Sequence, residues 1–267
     1  MPSVAICAPS RSLTREDADR VRAVAAEFPE LKLHFHDQCF LSDGHFAGSD
    51  AQRLAALLDC ANDPVFDAVW FARGGYGAAR IAEDAIARMN GAAGFKTYLG
   101  YSDGGILLGG LYARDMGKQV HAPMPTDIRR DGGEAAVRRT LAYLAGDLSG
   151  VEPGLDHRPQ AAFNLMTLAM LTGTPLMPDL SGHVVLVEEV AEYDYAVDRL
   201  FFHITATLPG IAGLRLGRVS AVPENEVEFG QTSEQIAQHW CSRSGIPYLG
   251  RADIGHDIDN KIVPFGT

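Results

Sequence analysis

Cysteine is scarce and widely spaced: Cys7, Cys39, Cys60 and Cys241 include no C-x-x-C pair. That spacing argues against a disulfide framework or a zinc site and for thiols that serve as packing residues. Positive charge is short as well. Lysine and arginine total 23 against 34 acidic residues, a formal net charge of −11, and the basic residues are scattered. The footprint of a nucleic-acid or acidic-membrane binder is therefore missing. No apolar run approaches the roughly 20 residues needed to span a bilayer. The opening Met1-Pro2-Ser3-Val4-Ala5-Ile6-Cys7-Ala8-Pro9 lacks a basic segment followed by a long apolar one. It reads as a first buried strand, and the expected location is cytoplasmic. Internal repeats and low-complexity tracts are absent too.

What is present is an ordinary globular composition, 46% hydrophobic and 21% charged, over 267 residues. That length suits one large domain or two modest ones. Up to about residue 145, β-rich runs alternate with helical stretches. Strands are expected at 4–8, 31–35, 68–72 and 96–101. Helices are expected from the Thr14/Asp17 cap to about Phe28, over 51–61 after Ser49 or Asp50, over 78–89, and over 104–116. Such a βαβα order makes a parallel sheet covered on both faces, with ligands bound beyond the carboxyl ends of its strands. Residues 146–161, rich in Gly, Pro, Asp and Ser, read as a linker. A second unit is expected over 162–267, with helices near 164–171, 194–206 and 234–243 and strands at 184–187 and 217–222.

Gly100-Tyr101-Ser102-Asp103-Gly104 falls where a predicted strand runs into a predicted helix. The pentad is G-x-S-x-G, in which small neighbours let a strained turn lift a serine hydroxyl clear of the sheet. Such a serine needs a base, and the base an orienting acid. In chain order the candidates are Ser102, then one of the adjacent pair Glu188-Glu189 at a strand end, then His256. Strand alternation points Glu188 and Glu189 to opposite faces, so only one can reach the histidine. The backbone N–H of Asp103 is one candidate oxyanion donor and that of Gly75 the other. Arg73-Gly74-Gly75-Tyr76-Gly77 does not have the G-x-G-x-x-G spacing of a dinucleotide loop, and no Walker lysine follows it. His34 and His36 share a strand face without a third ligand, so no metal and no cofactor is expected. His121, His239 and the Asp198-Arg199 pair are assigned structural roles.

Eight blocks in register make a more specific pattern: Phe46-Ala47-Gly48-Ser49-Asp50, Arg73 to Arg80, Gly100-Tyr101-Ser102-Asp103, His121-Ala122-Pro123-Met124, Gly173 to Pro178, Val187-Glu188-Glu189-Val190, Tyr195 to Arg199, and Gly255-His256 followed by Pro264-Phe265-Gly266. Together they resemble the LD-carboxypeptidase family of serine peptidases over nearly the whole chain. The resemblance implies a Rossmann-like or flavodoxin-like parallel α/β domain (1–145) and a smaller C-terminal α/β domain (162–267), with the active site in the cleft between them. It also implies a homodimer and a cytoplasmic enzyme of cell-wall recycling, which removes the terminal D-alanine of a murein tetrapeptide at an L,D bond. The family's Ser-Glu-His triad maps onto Ser102, Glu188 and His256, which chooses Glu188 over Glu189. Arg73, Gly74 and Tyr76 are candidates for holding substrate.

Three blocks depart from the family pattern: Gly104-Gly105 after the nucleophile, Ala162-Phe163-Asn164 before the middle helix, and Ala122 in the His121 block. Their expected place near the cleft bears on substrate preference. Two other readings fit the same residues. One is a microcin-immunity hydrolase, which cleaves a peptidyl nucleotide analogue with the same triad; such relatives carry an Asn-rich stretch where this chain has Tyr76-Gly77-Ala78-Ala79. The other is a non-catalytic small-ligand binding protein.

Overall fold

The computed structural model describes residues 1–224 and 226–266. Its first sheet contains β1 (Ser3–Cys7), β2 (Lys32–Phe35), β3 (Ala68–Phe71), β4 (Thr97–Gly100) and β5 (Lys118–His121), all parallel, in the spatial order β2-β1-β3-β4-β5. β3 is buried at every position, and all of β1 past Ser3 is buried, as expected of continuous apolar strands covered on both faces. The helices are α1 (Arg15–Ala25), α2 (Asp50–Asn62), α3 (Ala82–Arg88), α4 (Gly105–Tyr112) and α5 (Gly133–Leu144). Capping boxes start two of them: Thr14 with Asp17 before α1, and Ser49 with Gln52 before α2. The strand order reverses between β1 and β3, which opens a crevice above their carboxyl ends.

The second sheet is also parallel, in the order β6 (Gln160–Asn164), β7 (Val184–Val190), β8 (Gly213–Ser220), β9 (Tyr248–Arg251). Its helices are α6 (Leu165–Leu171), α7 (Asp194–Thr207) and α8 (Ser233–Ser244). A last short strand, β10 (Val263–Pro264), leaves this unit and runs antiparallel beside β5 at the edge of the first sheet. Proline, which cannot donate to a ladder, is tolerated at such an edge. Among the described residues no helix is long and apolar enough to cross a membrane.

One core cluster joins the two sheets. It runs from Val69, Phe71 and Tyr98 through Leu107, Leu108 and Leu111 of α4 to Leu168, Val185 and Val187. α4 is buried from Gly105 to Leu111, and its lack of a polar face follows from that position. Its glycines allow the close approach. A Cβ on Gly109 would stand 2.8 Å from Leu171 Cδ1, and one on Gly110 2.6 Å from Ile86 Cδ1. Cys7, Cys39, Cys60 and Cys241 are free and buried.

Several elements differ from the sequence expectation. β5, α5, β6, β9 and β10 were not assigned. β5 has only Val120 as a β-branched apolar residue, and its strand state is imposed by neighbours on both sides. The expected helix over 78–89 opens as a separate 3₁₀ turn, Ala78–Arg80, after Gly77 at φ +142°. α4 ends four residues early, before Asp115 at φ +50° and Gly117 at φ +75°. β7 runs three residues past its expected end, and Glu188 and Glu189 are strand residues within it. The segment 146–161 is pinned at Glu152, which is buried and forms a two-bonded ion pair with Arg215 (2.7 and 3.0 Å). β6 begins inside that segment, at Gln160.

Candidate active site

Ser102 stands where β4 ends and a 3₁₀ turn, Ser102–Gly104, leads into α4. Its φ is +56°, one of four positive values at non-glycine residues among those described. Holding a side chain in this region costs on the order of 1–3 kcal/mol and persists only where the surroundings enforce it. The enforcement is visible. Asp103 turns into the protein, where its Oδ2 accepts from Ser10 Oγ (2.5 Å) and from the Ala78 N–H (2.9 Å). That one carboxylate ties the Ser102 turn to the loops after β1 and β3, on either side of the crevice. Burial raises the Asp103 pKa, opposed by these two hydrogen bonds.

Gly74 backs the serine directly. A Cβ there would lie 2.9 Å from Ser102 Cβ, 3.0 Å from its Oγ and 3.4 Å from the Asp103 nitrogen. Gly74→Ala should therefore displace Ser102, and because a shift of about 1 Å at a reacting atom can cost 10²-fold, kcat should fall by about that factor. Steady-state kinetics beside a melting curve checks this; unchanged kcat would show that the position of Ser102 against Gly74 does not matter to the reaction.

His256 lies in the loop between β9 and β10, and its Nδ1 is 2.5 Å from Glu188 Oε2. Glu188 is fully buried and the His256 side chain is 10% exposed, so the pair is shielded from water on all but one side. β8 carries an irregularity opposite this point, between the pairs Val187↔Leu216 and Glu189↔Val219. Gly217 makes room there, since a Cβ on it would come 2.9 Å from Glu188 Cβ. Burial lowers the His256 pKa, but the Glu188 charge and hydrogen bond, with smaller contributions from Asp127 and Glu189, outweigh it and leave the imidazole above its ordinary value. The Tyr101 ring lies 4.9 Å from the imidazole, and its hydroxyl donates to Asp127 Oδ1 (2.8 Å). The loop is held by Asn260, whose Oδ1 accepts from the Gly255 N–H (3.1 Å) and meets His121 Nε2 (3.0 Å).

Glu189 has a different task. Its carboxylate accepts from Asn164 Nδ2 (2.7 Å) and from the N–H groups of Met166 (2.8 Å) and Val190 (2.9 Å), at the start of α6. The two glutamates thus serve different elements, as alternation requires. Ser102, His256, Gly74, Gly75 and Arg73 line one cavity of about 400 Å³. No hydrogen bond joins Ser102 Oγ to His256 among the described residues; such contacts are often long before substrate binds.

Tyr76 does not line this cavity. Its ring packs 6.3 Å from Phe46 and 6.4 Å from His45. Arg80 is also elsewhere, paired with Asp50 at 2.7 Å. His34 is in β2, whereas His36 caps the following 3₁₀ turn by accepting from the Gln38 N–H (3.1 Å). Asp198 accepts from Trp240 Nε1 (2.9 Å), and Arg199 lies over the Tyr195 ring rather than pairing with it. The departures at Gly105 and Phe163 are core partners: a Cβ on Gly105 would meet Thr167 Cγ2 at 3.1 Å and Phe163 Cδ1 at 3.5 Å. They bear on packing, not on the cavity wall. The residues that the sequence reading missed are Arg11, Tyr101, Asp127, Arg129 and Arg130, all in the lining. Tyr101 could have been found as the neighbour of Ser102; Asp127 and Arg129 lie in a short 3₁₀ turn, Pro125–Arg129, with Arg130 just after it and Arg11 in the loop after β1, none of them with a periodic signal.

Family models for the LD-carboxypeptidase N-terminal and C-terminal domains match residues 4–122 and 162–267. A Synechocystis protein named as a carboxypeptidase is 30% identical over 236 residues, 84% of this chain and 76% of its own. A murein tetrapeptide carboxypeptidase of Pseudomonas aeruginosa is 25% identical over 242 residues, 83% of this chain and 78% of its own. The crystal structure of a muramoyltetrapeptide carboxypeptidase from Oxalobacter formigenes superposes with a TM-score of 0.79 at 24% identity, covering 99% of this chain and 92% of that one. With both halves of its length matched, this chain belongs to the LD-carboxypeptidase family of peptidases.

Proposed function

We propose that the chain is a serine-type LD-carboxypeptidase that removes the terminal D-alanine from a murein tetrapeptide. The observation that carries the reading is the shielded His256–Glu188 pair facing the same cavity as a serine on a strained turn. Ser102 attacks the scissile carbonyl while His256 takes its proton through Nε2 and returns it to the departing amine of D-alanine. Glu188, bonded to Nδ1, fixes the tautomer and stabilises the imidazolium. The N–H groups of Asp103 and Gly75 face the oxyanion, and Gly74 leaves that approach open. Water then repeats the cycle on the acyl-enzyme, with His256 as base.

Mass spectrometry of a free tetrapeptide incubated with the enzyme tests the substrate. Release of D-alanine, with no cleavage of the all-L analogue, is expected. Comparable cleavage of both, or inertness toward the tetrapeptide alongside hydrolysis of a peptidyl adenylate, would point to the immunity-type reaction instead.

The pH profile tests the base. A protonated imidazole cannot accept the serine proton, so kcat/KM should fall as pH drops through the His256 pKa of the free enzyme. Because that pKa is raised, the limb should lie above the roughly 6.5 of an unperturbed imidazole. Residual activity in Glu188→Gln should show the limb at lower pH, since burial then acts with its main opponent removed. A limb unmoved by the substitution would exclude His256 as the titrating group.

A further inference from the structure

The proton transfers leave one fully buried histidine, His121, unused. It does not line the cavity; the Tyr101 ring, which does, lies 5.6 Å from the His121 ring and 4.9 Å from that of His256. His121 is instead where the strand that leads to the serine meets the histidine loop. Its backbone stands in register with Gly100 of β4, two residues before Ser102, and on its other side with Val263 of β10, at the far end of the loop. Its side chain reaches the near end. Nε2 lies 3.0 Å from Asn260 Oδ1, which also accepts from the N–H of Gly255, the residue before His256, at 3.1 Å. A backbone N–H can only donate, so the Asn260 atom shared by the two is its oxygen, and His121 Nε2 carries a proton. Burial lowers the His121 pKa against the Glu188 charge and the Asn260 hydrogen bond, which keeps the ring neutral. Asn260 is buried as well, so water does not compete for this bridge.

We propose that His121 is a positioning residue for the base: through Asn260 and Gly255 it sets where the His256 imidazole stands against the Ser102 hydroxyl. The other holds on the loop have different origins. Glu188 grips the imidazole from β7 of the second sheet, and Arg139 of α5 donates to the carbonyls of Ile258 and Asn260 (2.8 and 2.9 Å), on the loop's later half. His121 refers the residue before the base to β4 and β5, the strands beside the serine. A misplacement of about 1 Å between reacting groups costs on the order of 10²-fold in rate, so a bridge of this kind acts on turnover without touching substrate. The inference rests on the reading of Ser102, Glu188 and His256 as a triad.

Two readouts test it: the rate at which a fluorophosphonate labels Ser102, which needs no peptide, and kcat and KM on the murein tetrapeptide. His121→Leu fills similar space without an N–H, and should slow labelling and lower kcat by about 10²-fold each. KM should hardly move, because the cavity lining is untouched. His121→Gln restores an N–H donor of similar reach and should recover most of both losses. Asn260→Ala breaks the same bridge from the other end, and keeps the test open should His121→Leu not fold. It should show the same loss, and adding His121→Leu to it should cost little more, as expected of two members of one chain of contacts. Melting curves establish that each variant is folded. Labelling of folded His121→Leu at the unsubstituted rate, no recovery in His121→Gln, a loss confined to KM, or losses that multiply in the double variant would overturn the role. Labelling in the expected order by a protein inert toward the tetrapeptide would keep the role and remove the peptidase reading. Failure of the unsubstituted protein to be labelled would remove the triad, and the role with it.

Discussion

Ser102→Ala should lower kcat by about 10⁶, to the residual rate that binding and oxyanion donors sustain without a nucleophile. The loss is large because serine, base and acid act as a unit, so removing one member costs nearly as much as removing all. Stability should hardly change. Alanine keeps the Cβ that faces Gly74 and the same positive φ, and among the described residues the hydroxyl makes no hydrogen bond within the fold. Single-turnover assay of purified variant against D-alanine release checks the rate, and thermal unfolding checks the fold. A variant retaining more than a few per cent of activity would rule out Ser102.

Glu188→Gln comes second, with an expected loss near 10⁴ in kcat. The amide fits the space but can present its N–H₂ to His256 Nδ1, which selects the wrong tautomer for proton abstraction. Glu189→Gln should divide differently between rate and stability. Its carboxylate accepts from three donors, one side-chain amide and two backbone N–H groups. Glutamine offers a single acceptor oxygen, so at least one buried donor loses its partner, at about 1–3 kcal/mol. Rate measured at a temperature where both variants are folded, together with melting temperatures, separates the two. A larger rate loss at Glu189 would move the acid by one position.

Both halves of the α/β architecture were legible because their strong strands are nearly uniform apolar runs, such as Ala68–Phe71, and several of their helices open with capping residues. Ser102 could be singled out locally because it follows the strand Thr97–Gly100, whereas Glu188 lies inside β7 and His256 in a loop after a strand with little local signal, so those two came from the resemblance. Strands that borrow their pairing were not legible. Lys118–His121 and Val263–Pro264 have little local preference; the first is held by β4 and β10 on its two sides and the second by β5. The cavity wall was equally opaque, since whether an arginine is free or neutralised depends on contacts such as Arg129 with Asp17, between residues far apart in the chain. Tyr76 was misplaced for the opposite reason: it is adjacent in sequence to the glycine turn, but Gly75 at φ +106° and Gly77 at φ +142° swing the chain so that its ring joins His45 and Phe46.

The β10–β5 pairing imposes an order on biosynthesis. A ribosome delivers the serine turn early and the histidine loop late, and β10, the clasp that ties the loop's far end to the first sheet, emerges after both. Until that clasp closes, β5 presents an open strand edge and the far end of the histidine loop is not tied to the first sheet, leaving Glu188 and Asn260 to hold the loop, so a nascent chain should be poorly active toward peptide and prone to edge-to-edge association. Maturation of activity is thus timed by the final long-range contact, and a refolding experiment should show hydrolysis recovering with the slowest phase rather than with the bulk of the secondary structure.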